Sequence, residues 1–249
     1  MLRGIWVRVS ILVVTFALAF PLSLVLLAVP RWGNLTVHVG RIWSRLLLAA
    51  AGARVTYHGL DHARGRLPCI FIANHQSFID VWVMMCLVPP TTRFVAKREL
   101  FRIPVFGWVL SASGCIPIDR GNRSQAIRSL EAAAERIRGG TSVVLYPEGT
   151  RSTDGRLQPF KKGAFHLALQ AGVPIVPVAI TGSFDVLAPV RLLARPGPVS
   201  VHVEPPIDVA PFQPGDSDGL LAVVRSAIEA RFQSGPAPSQ DPALASEHP

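Results

Sequence analysis

Cysteine is scarce in this chain of 249 residues: there are three, Cys69, Cys86 and Cys115, far apart and each among apolar neighbours. An odd count without CxxC spacing supports neither a disulfide framework nor a zinc site. The thiols read as small core residues of a reducing compartment. Acidic residues are also few, 16 against 25 Lys and Arg, which leaves a net charge of +9 and a pI near 10.7. Anionic partners are expected from that balance: phosphate groups, nucleic acid or an acidic membrane face. No lysine-rich tail is present, and the arginines are scattered between apolar segments. That distribution favours a membrane surface or phosphorylated substrates and argues against nucleic acid. The chain also lacks a GxSxG elbow, a cysteine beside a histidine, and any internal repeat.

What is abundant is apolar sequence, 49% of residues, with a mean hydropathy of +0.36. From Ile11 to Pro30 there is no charge at all, and a bilayer span needs about 20 such residues. A cleaved signal peptide is the rival reading, since Arg3 and Arg8 give a basic start, but the length of the stretch favours an anchor. Pro21 lies mid-segment and kinks a helix there. Arginines flank both ends, so the positive-inside rule gives no orientation. A full span and a kinked, half-inserted anchor with both ends cytoplasmic fit equally. Residues 36–52 read as a second helix, with Arg41 and Arg45 spaced i,i+4. It either lies in the headgroup layer or docks on the domain. The expected organisation is an anchor and interfacial helix over 1–52, one domain over 53–232, and a disordered Pro- and Ser-rich tail over 233–249.

After Gly52 apolar strand patterns alternate with helical ones. Strands are expected at 53–59, 67–73, 91–97, 115–119, 142–149, 174–180 and 199–205, and helices at 77–87, 123–138, 163–171 and 218–232. The helix over 123–138 places Ile127, Leu130, Ala134 and Ile137 on one face. The last places Leu220, Leu221, Val224 and Ile228 inward. Strands this apolar, separated by helices, imply an α/β fold with a mostly buried central sheet flanked by helices.

The stretch "FIANHQSFID", residues 71–80, puts His75 just past a strand and Asp80 five residues on. On one continuous helix the two point about 140° apart. They converge if His75 lies in the turn and Asp80 in the first turn of the next helix. A carboxylate on one imidazole nitrogen fixes the tautomer and leaves the other nitrogen free to take a proton. Ser77-x-x-Asp80 is also a capping-box pattern, so Asp80 as a helix cap is the competing reading.

Three more blocks sit at strand ends, where α/β sheets carry their chemistry. They are "GCIPIDR" ending at Arg120, "YPEGTRS" with Glu148, Gly149 and Arg151, and "VPIVPVAI" at 173–180. The four blocks in this order resemble those of the glycerolipid acyltransferases, nearest to lysophosphatidic acid acyltransferases. The similarity runs from about residue 53 to residue 205, with "PFKKGAF" at 159–165 in the same style. One HxxxxD is a weak signal; four ordered blocks are a strong one. Cys115-Ile116-Pro117 stands where the second block commonly carries an aromatic residue before the Ile-Asp-Arg, which bears on packing or acyl fit more than on chemistry.

The resemblance implies His75 as base and Asp80 as its orienter. Arg120 and Arg151 fall on phosphate-binding positions, and Glu148 and Gly149 on the centre of the third block. Lys97 matches a basic position that reaches the phosphate or stays solvated. It also implies acyl-CoA or acyl-carrier protein as donor, no cofactor and no metal. The place of work is the cytoplasmic face of the cell membrane, on lysophosphatidate drawn from the bilayer. The residue types agree: a hydroxyl nucleophile needs one base, a thiolate leaves with little help, and two guanidinium forks suit a phosphomonoester. Glu148 cannot hold phosphate; it steadies an arginine, bonds a substrate hydroxyl or forms a structural ion pair. Lys161 and Lys162 either contact phosphate or lipid headgroups or stay exposed in a loop, and Arg128, Arg136 and Arg138 read as solvated. His58, His62, His166 and His202 have no partner spacing. Phe101, Phe106 and Trp108 form core, an acyl groove or a membrane-facing ridge. Other lyso-lipid acceptors and a non-catalytic lipid-binding protein remain as alternatives. A metal-dependent phosphohydrolase is disfavoured because no acidic cluster accompanies His75.

Overall fold

The computed structural model describes residues 9, 13–15, 17, 20–21, 33–65, 67–119, 123–189, 194–213 and 215–234. Most of the uncharged segment 11–30, Arg120 and the tail from 235 lie outside them, as do the side chains of Ile127 and Arg128.

A short apolar strand, β2 (Ile70–Ala73), forms the centre of a seven-stranded sheet. Its neighbours are β5 (Ser142–Leu145) and β6 (Ile175–Thr181), both parallel to it and, like it, buried along their whole length. Beyond β5 come β3 (Thr92–Lys97) and β4 (Ile116–Ile118), also parallel. Beyond β6 the direction reverses. β7 (Gly197–Val203) is antiparallel to β6, and β1 (Ala53–His58) runs parallel to β7 at the edge. The sheet is therefore mixed. Exposure follows position: burial alternates residue by residue in β1, which has a neighbour on one side only.

The period of two sorts side chains into two layers. On one face Phe71, Val144, Val176 and Val178 meet Trp82, Val83 and Met84 of α3 (Ile79–Leu87) and Leu47 and Leu48 of α1 (Gly33–Ala51). On the other face Ile70, Ile72, Val143 and Ile175 meet α5 (Arg123–Arg138), α6 (Gly163–Ala171) and α8 (Ser217–Ser234). Ala134 and Ile137 of α5, and Leu220, Val224 and Ile228 of α8, are buried at the expected spacing. Two single-turn helices, α2 (His62–Gly65) and α7 (Ser183–Val186), complete the connections around β1, β6 and β7.

Two regions differ from expectation. The strand expected over 142–149 ends at Leu145, because Pro147 and Gly149 (φ +78°) turn the chain. Between β3 and β4, a 3₁₀ turn (Arg98–Arg102) and α4 (Phe106–Ala112) fill a stretch for which no element was expected. The second N-terminal helix docks: α1 packs on α3, with the Trp43 and Trp82 rings edge to face at 6.2 Å. Trp43 Nε1 donates to Thr15 Oγ1 at 2.9 Å, while Ile42 and Leu46 stay exposed on the far side of α1. No helix among the described residues is long and apolar enough to cross a membrane.

Candidate active site

Because β2 to β6 are mutually parallel, their C-terminal ends share one edge of the sheet. At that edge β2 stops at Ala73 and Asn74 prolongs its pairing with β6 through a side chain. Asn74 Nδ2 donates to Ile180 O at 2.8 Å, and Ile180 N donates to Asn74 Oδ1 at 2.7 Å. The amide group does the work of one more peptide rung, which frees the main chain to turn.

His75 follows immediately. Its Nδ1 lies 3.0 Å from Asp80 Oδ2, in the first turn of α3. The same oxygen accepts Gln76 N at 2.6 Å and Ser77 N at 2.7 Å. The capping and orienting readings of Asp80 thus describe one atom. The carboxylate accepts, so Nδ1 carries the proton and Nε2 presents its lone pair, with no partner among the described residues. Asp80 is fully buried, and its Oδ1 makes no hydrogen bond. Ser77 supplies the second cap: Ile79 N donates to its Oγ at 3.1 Å.

The loop after β5 encloses the histidine from the other side. Glu148, a buried residue, accepts His75 N on Oε1 at 2.5 Å and Gln158 N on Oε2 at 3.0 Å. Ser152 N donates to His75 O at 2.9 Å, so both main-chain groups of His75 are held by this loop. Burial pushes the Glu148 carboxyl up to about 7, against the pull of the two N–H groups. Glu148 was expected to steady an arginine, bond a substrate hydroxyl or form an ion pair. Among the described residues it makes no arginine pair; both oxygens serve backbone N–H groups.

Arg151 is half-buried, its guanidinium 3.5 Å above the centre of the Phe78 ring. Its Nη1 is buried without a hydrogen-bond partner, and desolvation lowers its pKa while the Asp80 charge opposes that shift. The missing side chain of Gly149 leaves room for Lys161, whose Nζ lies 2.9 Å from where a Cβ would stand. Lys161 is exposed, as read from the sequence, and lies over the third block, whereas Lys162 pairs with Asp218 at 2.8 Å. Lys97, at the end of β3, is exposed and pairs with Glu99 at 3.3 Å. Among the described residues no three His, Cys, Asp or Glu side chains converge as a metal site would require.

Tyr146 was not singled out from the sequence. Its ring stacks on His75, centroids 4.1 Å apart and 19° from parallel, and its hydroxyl is buried without a partner. Burial raises its pKa well above the ordinary tyrosine value. The available signal was its place, the first residue past β5 and two before Glu148.

Comparison with known proteins agrees with this geometry. The acyltransferase family model matches residues 54–181. The chain is 36% identical over 218 residues to the 1-acyl-sn-glycerol-3-phosphate acyltransferase of Cocos nucifera, covering 81% of this chain and 69% of the relative. It is 38% identical over 209 residues to that of Limnanthes douglasii, covering 82% and 73%. The alpha form from Mus musculus is 36% identical over 195 residues, covering 76% and 68%. The crystal structure of the 1-acyl-sn-glycerophosphate (LPA) acyltransferase PlsC from Thermotoga maritima superposes with a TM-score of 0.80 at 24% identity, over 94% of this chain and 96% of that one, a likeness of fold. The dyad, the strand-end blocks and the matched relatives converge on one assignment: this chain belongs to the acyltransferase family.

Proposed function

We propose that the chain transfers a fatty acyl group from an acyl thioester, acyl-CoA or acyl-carrier protein, to the sn-2 hydroxyl of 1-acylglycerol 3-phosphate, forming phosphatidate. The observation that carries this reading is the Nδ1–Asp80 bond of 3.0 Å, which leaves Nε2 of His75 as an unengaged base. Nε2 takes the hydroxyl proton as the oxygen attacks the thioester carbonyl. The tetrahedral intermediate collapses, the C–S bond breaks, and the imidazolium returns its proton to the thiolate, an undemanding leaving group. No enzyme nucleophile takes part, and the chemistry asks for no cofactor or metal.

Arg151 binds the acceptor's phosphate in this reading; its unpaired buried Nη1 and its position beside the dyad support that role. Arg120, two residues past β4 in the sequence, is its proposed second fork. Gly149 makes room for Lys161 as an additional cation, and Glu148 positions His75. Lys97 is left to its pairing with Glu99. The enzyme works at the cell membrane with the catalytic domain on the cytoplasmic face. The uncharged 11–30 segment and the exposed Ile42 and Leu46 of α1 support membrane association.

The test uses the full chain in detergent, with labelled acyl-CoA or acyl-carrier protein and a panel of lyso-acceptors. Lysophosphatidate should be acylated at sn-2 well ahead of lysophosphatidylcholine, and His75→Ala should abolish product. Equal rates on both acceptors would replace the proposed substrate with a broader lysophospholipid class. Full activity of His75→Ala would overturn the mechanism.

A further inference from the structure

Elsewhere in the domain exposed large apolar side chains occur singly, as Leu60, Leu67, Phe78 and Val223 do; the β3–β4 connection concentrates them. Residues 98–112 carry eight large apolar side chains between Leu100 and Leu110, yet Gly107 is the one buried residue of the segment. None of the eight joins either core layer. Trp108 is 53% exposed, Ile103 46% and Leu100 36%. Concentrated exposure of this kind marks a contact surface.

The segment is built to hold that shape. Phe106 N donates to Pro104 O at 2.7 Å, a three-residue turn that places Val105 at φ +65°, where a β-branched residue rarely sits. Gly107 allows α4 to lie against the 3₁₀ turn, since a Cβ there would come 2.2 Å from Phe101 O. The knuckle stands on the edge that carries His75. It leaves β3 at Lys97, and Arg98 reaches Asp119, just past β4, at 3.7 Å. Cations surround it: Lys97, Arg98 and Arg102, with Glu99 the one acid in the segment. Apolar groups outnumber these cations, and Lys97 and Arg98 already pair with acids. Hydrocarbon beneath a thin anionic layer suits such a surface better than an acidic protein does.

We propose that residues 98–112 are a membrane wedge whose apolar side chains enter the acyl region of an anionic bilayer and hold the active-site edge against it. This rests on the reading above that the acceptor is a bilayer lipid, and it adds a contact separate from the N-terminal helices. Trp108 sits at the headgroup boundary, where its amphipathic ring is at home.

Two measurements on the full chain test it, with phosphatidylglycerol–phosphatidylcholine vesicles as the probe. First, brominated acyl chains should quench tryptophan fluorescence, and Trp108→Phe should remove part of that quenching while leaving vesicle binding unchanged. Second, Ile103→Asn with Trp108→Gln should weaken vesicle binding or interfacial turnover by about tenfold or more. The same double variant should keep the wild-type melting temperature and the wild-type rate on a short-chain lysophosphatidate dissolved as monomer. Undiminished quenching in Trp108→Phe overturns the wedge. So does an equal loss on monomeric and vesicle substrate, or a loss confined to acyl-carrier-protein donors, which would make the surface a protein dock. Absence of transfer by the wild type on any acceptor refutes the proposed function instead, and the quenching result still decides the wedge.

Discussion

Asp80→Asn removes a charge and keeps a shape. In the native chain Oδ2 accepts Gln76 N at 2.6 Å, Ser77 N at 2.7 Å and His75 Nδ1 at 3.0 Å. An amide oxygen in the same place accepts the same three, and Asn caps helices about as well as Asp. What disappears is the negative charge that stabilises the imidazolium formed when His75 takes a proton. Unit charges 3.0 Å apart attract by about 5 kcal/mol at an effective dielectric of ~20. That sets a ceiling of roughly 10⁴-fold on the loss of kcat. Stability should fall by only about 1 kcal/mol, for an amide NH₂ in the unpartnered Oδ1 position. Asp80→Ala differs, since it orphans the N–H groups of two buried residues at about 1–3 kcal/mol each. For a domain of this size that lowers the melting temperature by roughly 10 °C. Initial rates of acyl transfer and calorimetric melting of both variants make the comparison. Retention of activity within tenfold by Asp80→Asn would reduce the carboxylate to a cap. Equal melting losses in the two variants would refute the assignment of the caps to Oδ2.

Three further predictions follow from the same edge of the sheet. Glu148, with its folded-state pKa raised from the usual 4.5 to about 7, binds its proton more tightly folded than unfolded. Its contribution is therefore full below pH 4.5 and lost as pH rises through about 7. The span is worth about 3 kcal/mol, and Glu148→Gln should flatten that part of a stability–pH curve measured by denaturant melts. Tyr146→Phe keeps the ring on His75 and removes an unpartnered hydroxyl, so it should gain about 1 kcal/mol in thermal melts at near-native kcat. Tyr146→Ala should lose about tenfold in kcat, and equal kcat in the two would deny the ring any positioning role. Gly149→Ala forces a Cβ onto a backbone at φ +78° and against Lys161 Nζ; it should cost about 1–2 kcal/mol by calorimetry, and an unchanged melt would count against the tightness of this turn.

Much of the site was legible because its spacing is local. His75 and Asp80 are five residues apart, and a strand stop followed by a cap pattern is enough to bring them together. The buried strands were equally legible, since an apolar run such as Ile70–Ala73 has few other places to go. What stayed hidden depends on partners distant in sequence. The carboxyl of Glu148 meets His75 N across 73 positions, and no local pattern says that its partners are amides instead of an arginine. The Tyr146 ring acts on His75 only because β2 and β5 are neighbours, which sheet order decides. The reversal at β7 was illegible for a similar reason. A strand's apolar pattern is the same whichever way it runs, and direction is set by how the chain returns after α7. In the β3–β4 connection, apolar content left core, groove and exposed ridge all open, because composition records what a side chain prefers and not whether a partner surface is present.

The double grip on the main chain of His75, through Glu148 Oε1 and Ser152 N, has a mechanical corollary. Arg151 lies in sequence between the two tethers, Glu148 and Ser152, so a displacement of the loop moves the guanidinium and drags the imidazole along. The proposed proton acceptor and the proposed anion clamp then share a single error in placement, and thermal jitter shifts them in concert. A ligand that settles onto the arginine is thereby already in register with the ring.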